Sequence, residues 1–263
     1  MVGVGGLGSA LAKSVLRSGF DPSQLLLIDR KPAEVATTCE VQGCEVVDRP
    51  PGECRLESGD LLVLAVKPQD AEMACIGVRS VLCPGAVVVS VMAGVSLARL
   101  RLLLDHTMVV RAMPNLGATV GQSATVYLVP TEITPADLAT IENFLSCIGP
   151  SWRVQDERLI DAATAVAGSG PAYICWLAEQ MESVACELGI LDSEARALVL
   201  QTLKATTSSL ESSNQTFAEL RARVTSRGGT TAAALTVLEQ RKADEIVQDA
   251  IKAAFARAQE IGQ

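Results

Sequence analysis

The chain has 263 residues, of which 49% are hydrophobic and 20% are charged. It therefore holds enough apolar material for two modest domains with a large buried core, which excludes intrinsic disorder. The formal net charge is −8, and the 22 lysines and arginines are scattered along the chain. We expect neither a nucleic acid nor an anionic membrane surface as a partner, and a small-molecule substrate is favoured.

The cysteines and the single histidine limit the kinds of catalytic and metal sites that the chain can form. The 8 cysteines form no CxxC pair and several lie in apolar stretches, so we interpret them as free thiols in a reducing compartment. The sequence shows no apolar run of about 18 residues and no signal peptide, which predicts a cytoplasmic protein. The single histidine, His106, excludes a Ser-His-Asp triad and a two-histidine metal site, and we place it in a surface turn. We therefore expect no metal, and chemistry carried by a cofactor or by backbone and hydroxyl groups.

Aliphatic runs alternate with amphipathic stretches in the first half, which predicts repeated βα units and a parallel sheet. In chain order, the predicted strands cover residues 25–29, 61–66, 86–91, 108–112 and 124–129, and the helices cover about 9–18, 71–81, 97–103 and 135–147. From Asp156 onward helical periodicity takes over, with helices predicted over residues 172–188, 192–211, 216–223, 230–239 and 243–261. Gly189 is expected to end the first of these helices, and Asp192 and Thr216 are expected to cap the next two.

This change of pattern predicts an α/β chain of two domains. Residues 1–152 form a doubly wound, Rossmann-type domain, and residues 153–263 form an all-helical domain.

The sequence GVGGLG over residues 3–8 is a complete GxGxxG followed by an amphipathic helix, and Asp29 ends an aliphatic run 21 positions after Gly8. In this setting the glycines permit a tight turn, let the backbone approach a pyrophosphate, and allow close packing of helix and sheet. We therefore predict a dinucleotide site. Its first candidate residues are Gly3, Gly5, Gly6, Leu7, Gly8, Asp29 and Arg30.

One feature conflicts with this prediction, because the fingerprint should follow a buried strand of about five residues. Only Met1 and Val2 precede Gly3. We expect that most of the central strand is absent from this chain, either because the start is assigned too far downstream or because the chain is truncated. The alternative that a two-residue strand suffices stays open.

Three further segments follow predicted strands, at the edge where doubly wound sheets bind ligands. Each could be an ordinary strand end, but together they define one rim. The candidate cofactor-binding residues on it are Ala65, Val66, Lys67 and Pro68, then Met92, Ala93 and Gly94, and finally Asn115.

The helical half contains two glycine-rich segments that precede helices, GSGPAY over residues 168–173 and VTSRGGTT over residues 224–231. Amides and hydroxyls at a helix N-terminus bind carboxylates or phosphates well, so the second segment is a candidate anion site. A plain helix-capping loop is the other interpretation of this segment.

With GVGGLG, AVKPQ, SVMAGVS, VRAMPN, GSGPAY and VTSRGGTT in this order, the chain resembles the pyrroline-5-carboxylate reductases over essentially its whole length. The resemblance implies transfer of a hydride from NADPH, or from NADH, to the C=N bond of 1-pyrroline-5-carboxylate, giving L-proline. It also implies that the helical half is a dimerisation and substrate-binding domain, in a homodimer or a larger ring of dimers. The substrate-binding residues it implies are Ser226, Gly228, Gly229, Thr230 and Thr231.

The catalytic candidates by this resemblance are Thr231, whose hydroxyl would contact the ring nitrogen, and Lys67, which would lie near the nicotinamide. For Lys67 we favour an electrostatic or structural role over proton donation. Two positions depart from the family pattern: Arg227 stands where the family usually has proline, and Leu116-Gly117 follows Asn115 where it usually has NTP.

Two other functions stay open. A related imine or β-hydroxyacid dehydrogenase would require a lysine in the first helix of the second domain, and residues 161–172 contain none. A catalytically silent dinucleotide-binding dimer that senses redox state is conceivable from the short first strand and the altered loop.

Cofactor preference is also open from the residues alone. Asp29 suits a ribose 2′-hydroxyl and would repel a 2′-phosphate, whereas Arg30 and Lys31 would attract one. We expect use of both cofactors, with NADPH ahead by resemblance.

Overall fold

The protein is described by a computed structural model that covers residues 1–38, 41–52 and 54–261, so Cys39 lies outside the described residues. The chain divides into two compact units. We call Met1–Ser169 together with the residues from Ala253 onward the sheet unit, and Gly170–Lys252 the helical unit. This division falls after Ser169 rather than at residue 152, because residues 157–161 are bonded to a strand of the sheet, as described below.

The sheet unit contains all seven described strands. They are β1 (Leu26–Ile28), β2 (Glu45–Val47), β3 (Leu61–Leu64), β4 (Val87–Ser90), β5 (Val109–Met113), β6 (Thr125–Leu128) and β7 (Ser151–Arg153). The five predicted strands are confirmed, four of them with shorter bounds and β5 shifted by one residue. Strands β2 and β7 were not predicted, because both are short and partly exposed and neither carries an apolar run.

Most neighbouring strands run parallel, as predicted, but β6 runs antiparallel to β5, and β7 is parallel to β6. The N-terminal residues lie between β1 and β3, where Val2 forms parallel bridges to both Ile28 and Leu64. The Val2 amide donates to the Val63 carbonyl, and the Gly3 amide donates to the Ile28 carbonyl, each at 2.8 Å. The strand order is therefore β2, β1, Val2, β3, β4, β5, which is the doubly wound order with the N-terminal segment at its switch point.

Six helices accompany the sheet: α1 (Gly6–Arg17), α2 (Pro32–Thr38), α3 (Ala71–Val78), α4 (Leu97–Leu104), α5 (Pro135–Ser146) and α6 (Arg158–Ala163). Alternate strand residues contribute to two separate cores, since Val63 belongs to one and Leu62 and Leu64 belong to the other. The first core includes residues of α1, α2 and α5, and the second includes residues of α3 and α4. Both faces of the sheet are therefore covered by helices, as expected for the predicted doubly wound domain.

The helical unit holds α7 (Gly170–Glu187), α8 (Asp192–Glu211), α9 (Phe217–Arg223), α10 (Thr230–Gln240) and the first part of α11 (Ala243–Ile261), whose last residues belong to the sheet unit. Thr216 is confirmed as an N-cap, and it forms a capping box with Glu219. The prediction for Asp192 is wrong by one residue, because Leu191 is the N-cap and Asp192 is the first helical residue. Gly189 follows the end of α7 with φ of +94°, as a helix-ending glycine does.

Seven cysteines lie in the described residues, and all seven are free thiols. Within the same residues, no helix combines the length and the apolar character needed to cross a membrane.

Candidate active site

The glycine loop after Val2 has the shape of a pyrophosphate cradle. Gly3 has φ of +87°, and a Cβ there would lie 2.7 Å from Val66 Cγ1. A Cβ on Gly8 would overlap the Gly3 carbonyl oxygen, whereas a Cβ on Gly5 or Gly6 would meet no heavy atom within 4 Å. The outer glycines are thus needed for packing inside the protein, and the inner glycines leave open space. This space adjoins the N-terminus of α1, where no side chain caps the helix, and the loop fits a dinucleotide phosphate.

Leu7 has a different role from its glycine neighbours, because its side chain packs partly buried against the first core. Ala65 and Val66 lie directly beside the loop, since the Ala65 amide donates to the Val2 carbonyl at 2.8 Å. The structure therefore brings together the glycine loop and the segment that follows β3, as predicted.

Asp29 lies just after β1 and binds the glycine loop through its carboxylate. Its Oδ2 accepts from the Val4 amide at 2.8 Å, and its Oδ1 accepts from the Lys31 amide at 3.0 Å. An ionised carboxylate has lone pairs beyond these two bonds, so it can still accept a ribose 2′-hydroxyl. Asp29 therefore has a structural role in the loop and keeps the acceptor capacity that the predicted binding role requires.

The basic residues near the loop differ in whether their side chains form ion pairs with other residues of the protein. Lys67 is exposed three residues after β3, immediately before a short 3₁₀ turn over Pro68–Asp70. Arg30 is 82% exposed, and its guanidinium forms two hydrogen bonds with the Asp70 carboxylate. Lys31 pairs with Glu34 at 2.8 Å, and this carboxylate raises the pKa of Lys31 above its ordinary value.

The segment after β4 is close-packed. Met92 is buried, and Gly94 has φ of +72°. A Cβ on Gly94 would overlap the side chain of Ile261 near the end of α11, so the backbone here requires glycine for two reasons. Ala93 between them is half-buried.

The Asn115 side chain forms three hydrogen bonds that hold the loop after β5. Its Oδ1 accepts from the Gly117 amide at 3.0 Å and from the Ala124 amide at 3.3 Å, and its Nδ2 donates to the Ala167 carbonyl at 3.1 Å. Ala167 lies in a π-helical turn over Thr164–Gly168, a kind of turn that is frequent at functional sites. The Asn115 side chain is thus occupied by the protein, and we interpret this residue as positioning the rim rather than contacting a cofactor.

Arg111 on β5 anchors a network that the sequence reasoning missed. The side chain is 3% exposed; its Nη1 lies 2.8 Å from Glu157 Oε1, and its Nη2 lies 2.7 Å from Asp161 Oδ1. Glu157 Oε1 also accepts from the Leu97 amide at the start of α4, at 2.7 Å. A charged residue inside an apolar strand run was the available signal, because such a residue requires buried partners.

His106 follows the end of α4 and lies half-buried, with its Nε2 2.6 Å from the Ala86 carbonyl oxygen. Ala86 immediately precedes β4, so His106 lies at the sheet edge opposite to the glycine loop. Within the described residues there is no cluster of three histidine, cysteine, aspartate or glutamate side chains placed to hold a metal ion.

In the helical unit, the predicted substrate segment forms a tight turn at the start of α10. The Gly229 amide donates to the Ser226 carbonyl at 3.0 Å, and Gly228 has φ of +72°, as in a type II turn with Arg227 at its second position. Gly229 is the N-cap of α10 and supplies no capping side chain. The first amides of this helix are therefore available to an anion.

The hydroxyls of this segment are also available. Thr225 and Thr236, on either side, each donate to a backbone carbonyl of their own helical turn. In the part of the chain that the structure describes, Ser226, Thr230 and Thr231 make no such side-chain bond. Their free hydroxyls beside uncapped amides are what a binding segment needs and what a simple capping loop does not require.

The glycine loop at the switch point of a doubly wound sheet defines the sheet unit as a Rossmann-type dinucleotide-binding domain. Comparison with known proteins agrees: residues 1–94 match the family described as NADP oxidoreductase coenzyme F420-dependent, and residues 157–261 match the family described as pyrroline-5-carboxylate reductase dimerisation.

Relatives that match nearly the whole chain identify its family. The chain is 33% identical to pyrroline-5-carboxylate reductase 2 of Bacillus subtilis, over 99% of this chain and 93% of that protein. A solved pyrroline-5-carboxylate reductase from Coxiella burnetii has a TM-score of 0.87 and 28% identity, covering 100% of this chain and 97% of the other. A Plasmodium falciparum pyrroline carboxylate reductase, solved with NADP bound, shares the fold with a TM-score of 0.83 and 23% identity, with coverage of 100% and 97%. The chain belongs to the pyrroline-5-carboxylate reductase family.

Proposed function

We propose that this chain reduces 1-pyrroline-5-carboxylate to L-proline, the last step of proline biosynthesis, with NADPH as the preferred hydride donor. The observation that carries the proposal is the start of α10, where uncapped amides adjoin the free hydroxyls of Ser226, Thr230 and Thr231. In a family of reductases that act on a carboxylated cyclic imine, this segment matches the carboxylate and the ring nitrogen of the substrate. The glycine loop of the sheet unit supplies the matching dinucleotide site.

The reaction adds a hydride to the imine carbon and a proton to the ring nitrogen, so that C=N becomes C–N. The reduced nicotinamide supplies the hydride when it is bound. Except for the Gly229 amide, which donates to the Ser226 carbonyl, the amides from Ser226 to Thr230 hold the substrate carboxylate. The Thr231 hydroxyl bonds the ring nitrogen, which fixes the orientation of the ring.

An iminium accepts hydride readily, so orientation is the main requirement, and well-oriented reactants supply about 7–11 kcal/mol of the barrier. A chain with a single histidine can meet this requirement, because no histidine acid-base pair is needed. We assign Lys67 an electrostatic role near the nicotinamide, supported by its exposed position in the segment that follows β3.

On the sheet unit, the cofactor phosphates would lie against Gly5, Gly6 and the N-terminus of α1. Asp29 and Arg30, after β1, would face the ribose 2′ position. Neither alternative function gains support from the relatives, which carry the name of the reductase over the full length of the chain.

The helical unit supports a homodimer. Helix α7 has no buried residue, although it contains Trp176 and Leu177, which are 61% and 52% exposed. Phe217 at the start of α9 is 82% exposed. Apolar surface of this extent favours association, and a second copy of the chain would cover it. Assembly of such dimers into a larger ring, and a cytoplasmic location in keeping with the free thiols, belong to the same proposal.

A coupled assay tests the proposed function. The purified chain is given 1-pyrroline-5-carboxylate and NADPH, cofactor absorbance is followed, and proline is measured at the end point. We expect substrate-dependent oxidation with an equal amount of proline formed. Binding of NADPH without substrate-dependent oxidation would instead favour the silent redox sensor.

A further inference from the structure

The two strands that flank the N-terminal segment are joined beyond their carboxyl ends by one ion pair. Arg30 lies two residues after β1, and Asp70 ends the 3₁₀ turn that follows β3. Arg30 Nη1 donates to Asp70 Oδ1 at 3.3 Å, and Arg30 Nη2 donates to Asp70 Oδ2 at 3.2 Å. The pair is therefore bidentate, and it spans the switch point at which the glycine loop begins.

The pair occupies the donors that a phosphate would need. In Rossmann-type domains, a carboxylate after the strand that corresponds to β1 accepts a hydrogen bond from the ribose 2′-hydroxyl, whereas a nearby arginine donates to a 2′-phosphate. Carboxylate and phosphate bind the same two-pronged edge of a guanidinium. A 2′-phosphate must therefore displace Asp70 from Arg30, but a 2′-hydroxyl on Asp29 need not.

The other charges near this position do not replace Arg30. Lys31 is held by Glu34, and Asp29 adds a second negative charge on the same side. Asp70 contributes little to the stability of the fold, because its side chain makes no capping bond to α3 and an ion pair at the surface stabilises a protein only weakly.

We infer that Asp70 is a specificity-determining residue, an internal competitor that weakens binding of the 2′-phosphate and narrows the preference for NADPH over NADH. The inference rests on the proposed function, because it uses the placement of the cofactor ribose beside Asp29 and Arg30. No motif in the sequence pointed to Asp70, which is 40 positions from Arg30 along the chain.

Direct binding of adenosine phosphates tests the inference without catalysis. The probes are 2′,5′-ADP, which carries the 2′-phosphate, and 5′-AMP, which lacks it, and affinities are measured by calorimetry at low salt. The variants are Asp70→Asn, Arg30→Ala and the combination of both. Glu72→Gln is the matched control, because Glu72 is exposed on the first turn of α3 and its loss changes the net charge equally.

Asp70→Asn should tighten 2′,5′-ADP by roughly three- to tenfold and leave 5′-AMP nearly unchanged, since it frees the guanidinium and removes a repelling charge. Glu72→Gln should have a much smaller effect on the ratio of the two affinities. The gain should disappear in the background of Arg30→Ala, and it should shrink at high salt.

The possible outcomes distinguish a failure of the role inferred for Asp70 from a failure of the proposed cofactor placement. If Arg30→Ala weakens 2′,5′-ADP while Asp70→Asn leaves the ratio unchanged, Asp70 is not a competitor and the inference is wrong. A loss of 2′,5′-ADP affinity in Asp70→Asn would also overturn it, because Asp70 would then be holding Arg30 in a binding conformation. If neither variant moves the ratio, the ribose lies elsewhere and the proposed cofactor placement fails with it.

Discussion

Replacing Arg111 by methionine tests whether the buried network holds the start of α6 against the sheet. Methionine keeps much of the length and removes the charge. The change leaves Glu157 and Asp161, with side chains 31% and 15% exposed, facing a buried site without a counter-charge. Removing one partner of a buried ion pair costs about 3–5 kcal/mol. Because both carboxylates retain some access to water, we expect a loss of about 3 kcal/mol in the free energy of unfolding.

Urea unfolding at a fixed protein concentration measures this loss, since the stability of a dimer depends on concentration. Arg17→Met is the matched control, because Arg17 is exposed and its one described bond is to the Thr119 carbonyl at 3.2 Å. We expect the control to change stability by less than about 0.5 kcal/mol. Adding Glu157→Gln and Asp161→Asn to Arg111→Met should recover part of the loss, because the unpaired charges are then gone. If Arg111→Met costs no more than Arg17→Met, the network does not stabilise the sheet unit.

Three further predictions concern other regions. Thr231→Val should lower kcat/KM by about two- to tenfold at unchanged cofactor affinity. The control Thr236→Val should not lower it, because the Thr236 hydroxyl bonds within α10. Equal effects of the two substitutions would show that Thr231 is not part of the site. Arg227→Pro should raise the free energy of unfolding by about 0.4–1 kcal/mol, because this position precedes Gly228 in a type II turn, and a lower melting temperature would contradict that turn geometry. In a polypeptide that starts at Met1, burial lowers the pKa of the α-amino group from 8.0 to about 5. Between these two pH values the unfolded state binds more protons than the folded state. The free energy of unfolding should therefore rise with pH across this window, by about 4 kcal/mol in total. Acetylating this amine, or extending the chain upstream with apolar residues, should flatten the profile, and a flat profile of the free amine would refute its burial.

The elements that could be predicted carry their own local signals. Thr216 and Glu219 form the capping box that starts α9, and Pro135 stands in the first turn of α5, so both starts follow from neighbouring residues. Strand β7 has no such signal, because Trp152 is 53% exposed and no apolar alternation surrounds it. Its place in the sheet is set by pairing with β6, a tertiary contact that local pattern does not encode.

The residues of the candidate site could likewise be predicted only where a local sequence pattern marks them. The glycine loop could be recognised because its glycines are neighbours in the sequence, with Gly3 and Gly8 required by packing and Gly5 and Gly6 leaving open space. Partners across the chain could not: Asn115 bonds Ala167 at a separation of 52 positions, and Arg111 bonds Asp161 at 50. A pattern can nominate a residue at a strand end, but only the fold shows whether its polar atoms are free for a ligand or already used.

The glycine loop that follows the N-terminal strand segment is held in shape by contacts with residues further along the chain. Three separate contacts fix the loop: Val2 forms parallel bridges to Ile28 and Leu64, Gly3 packs against Val66, and the Val4 amide donates to the Asp29 carboxylate. None of these contacts requires residues before Met1. Additional upstream residues would lengthen the central ladder and remove the buried amine, and both effects act on the free energy of unfolding. They would leave the contacts that shape the loop unchanged, so the length of this strand should govern stability far more than the affinity for the dinucleotide.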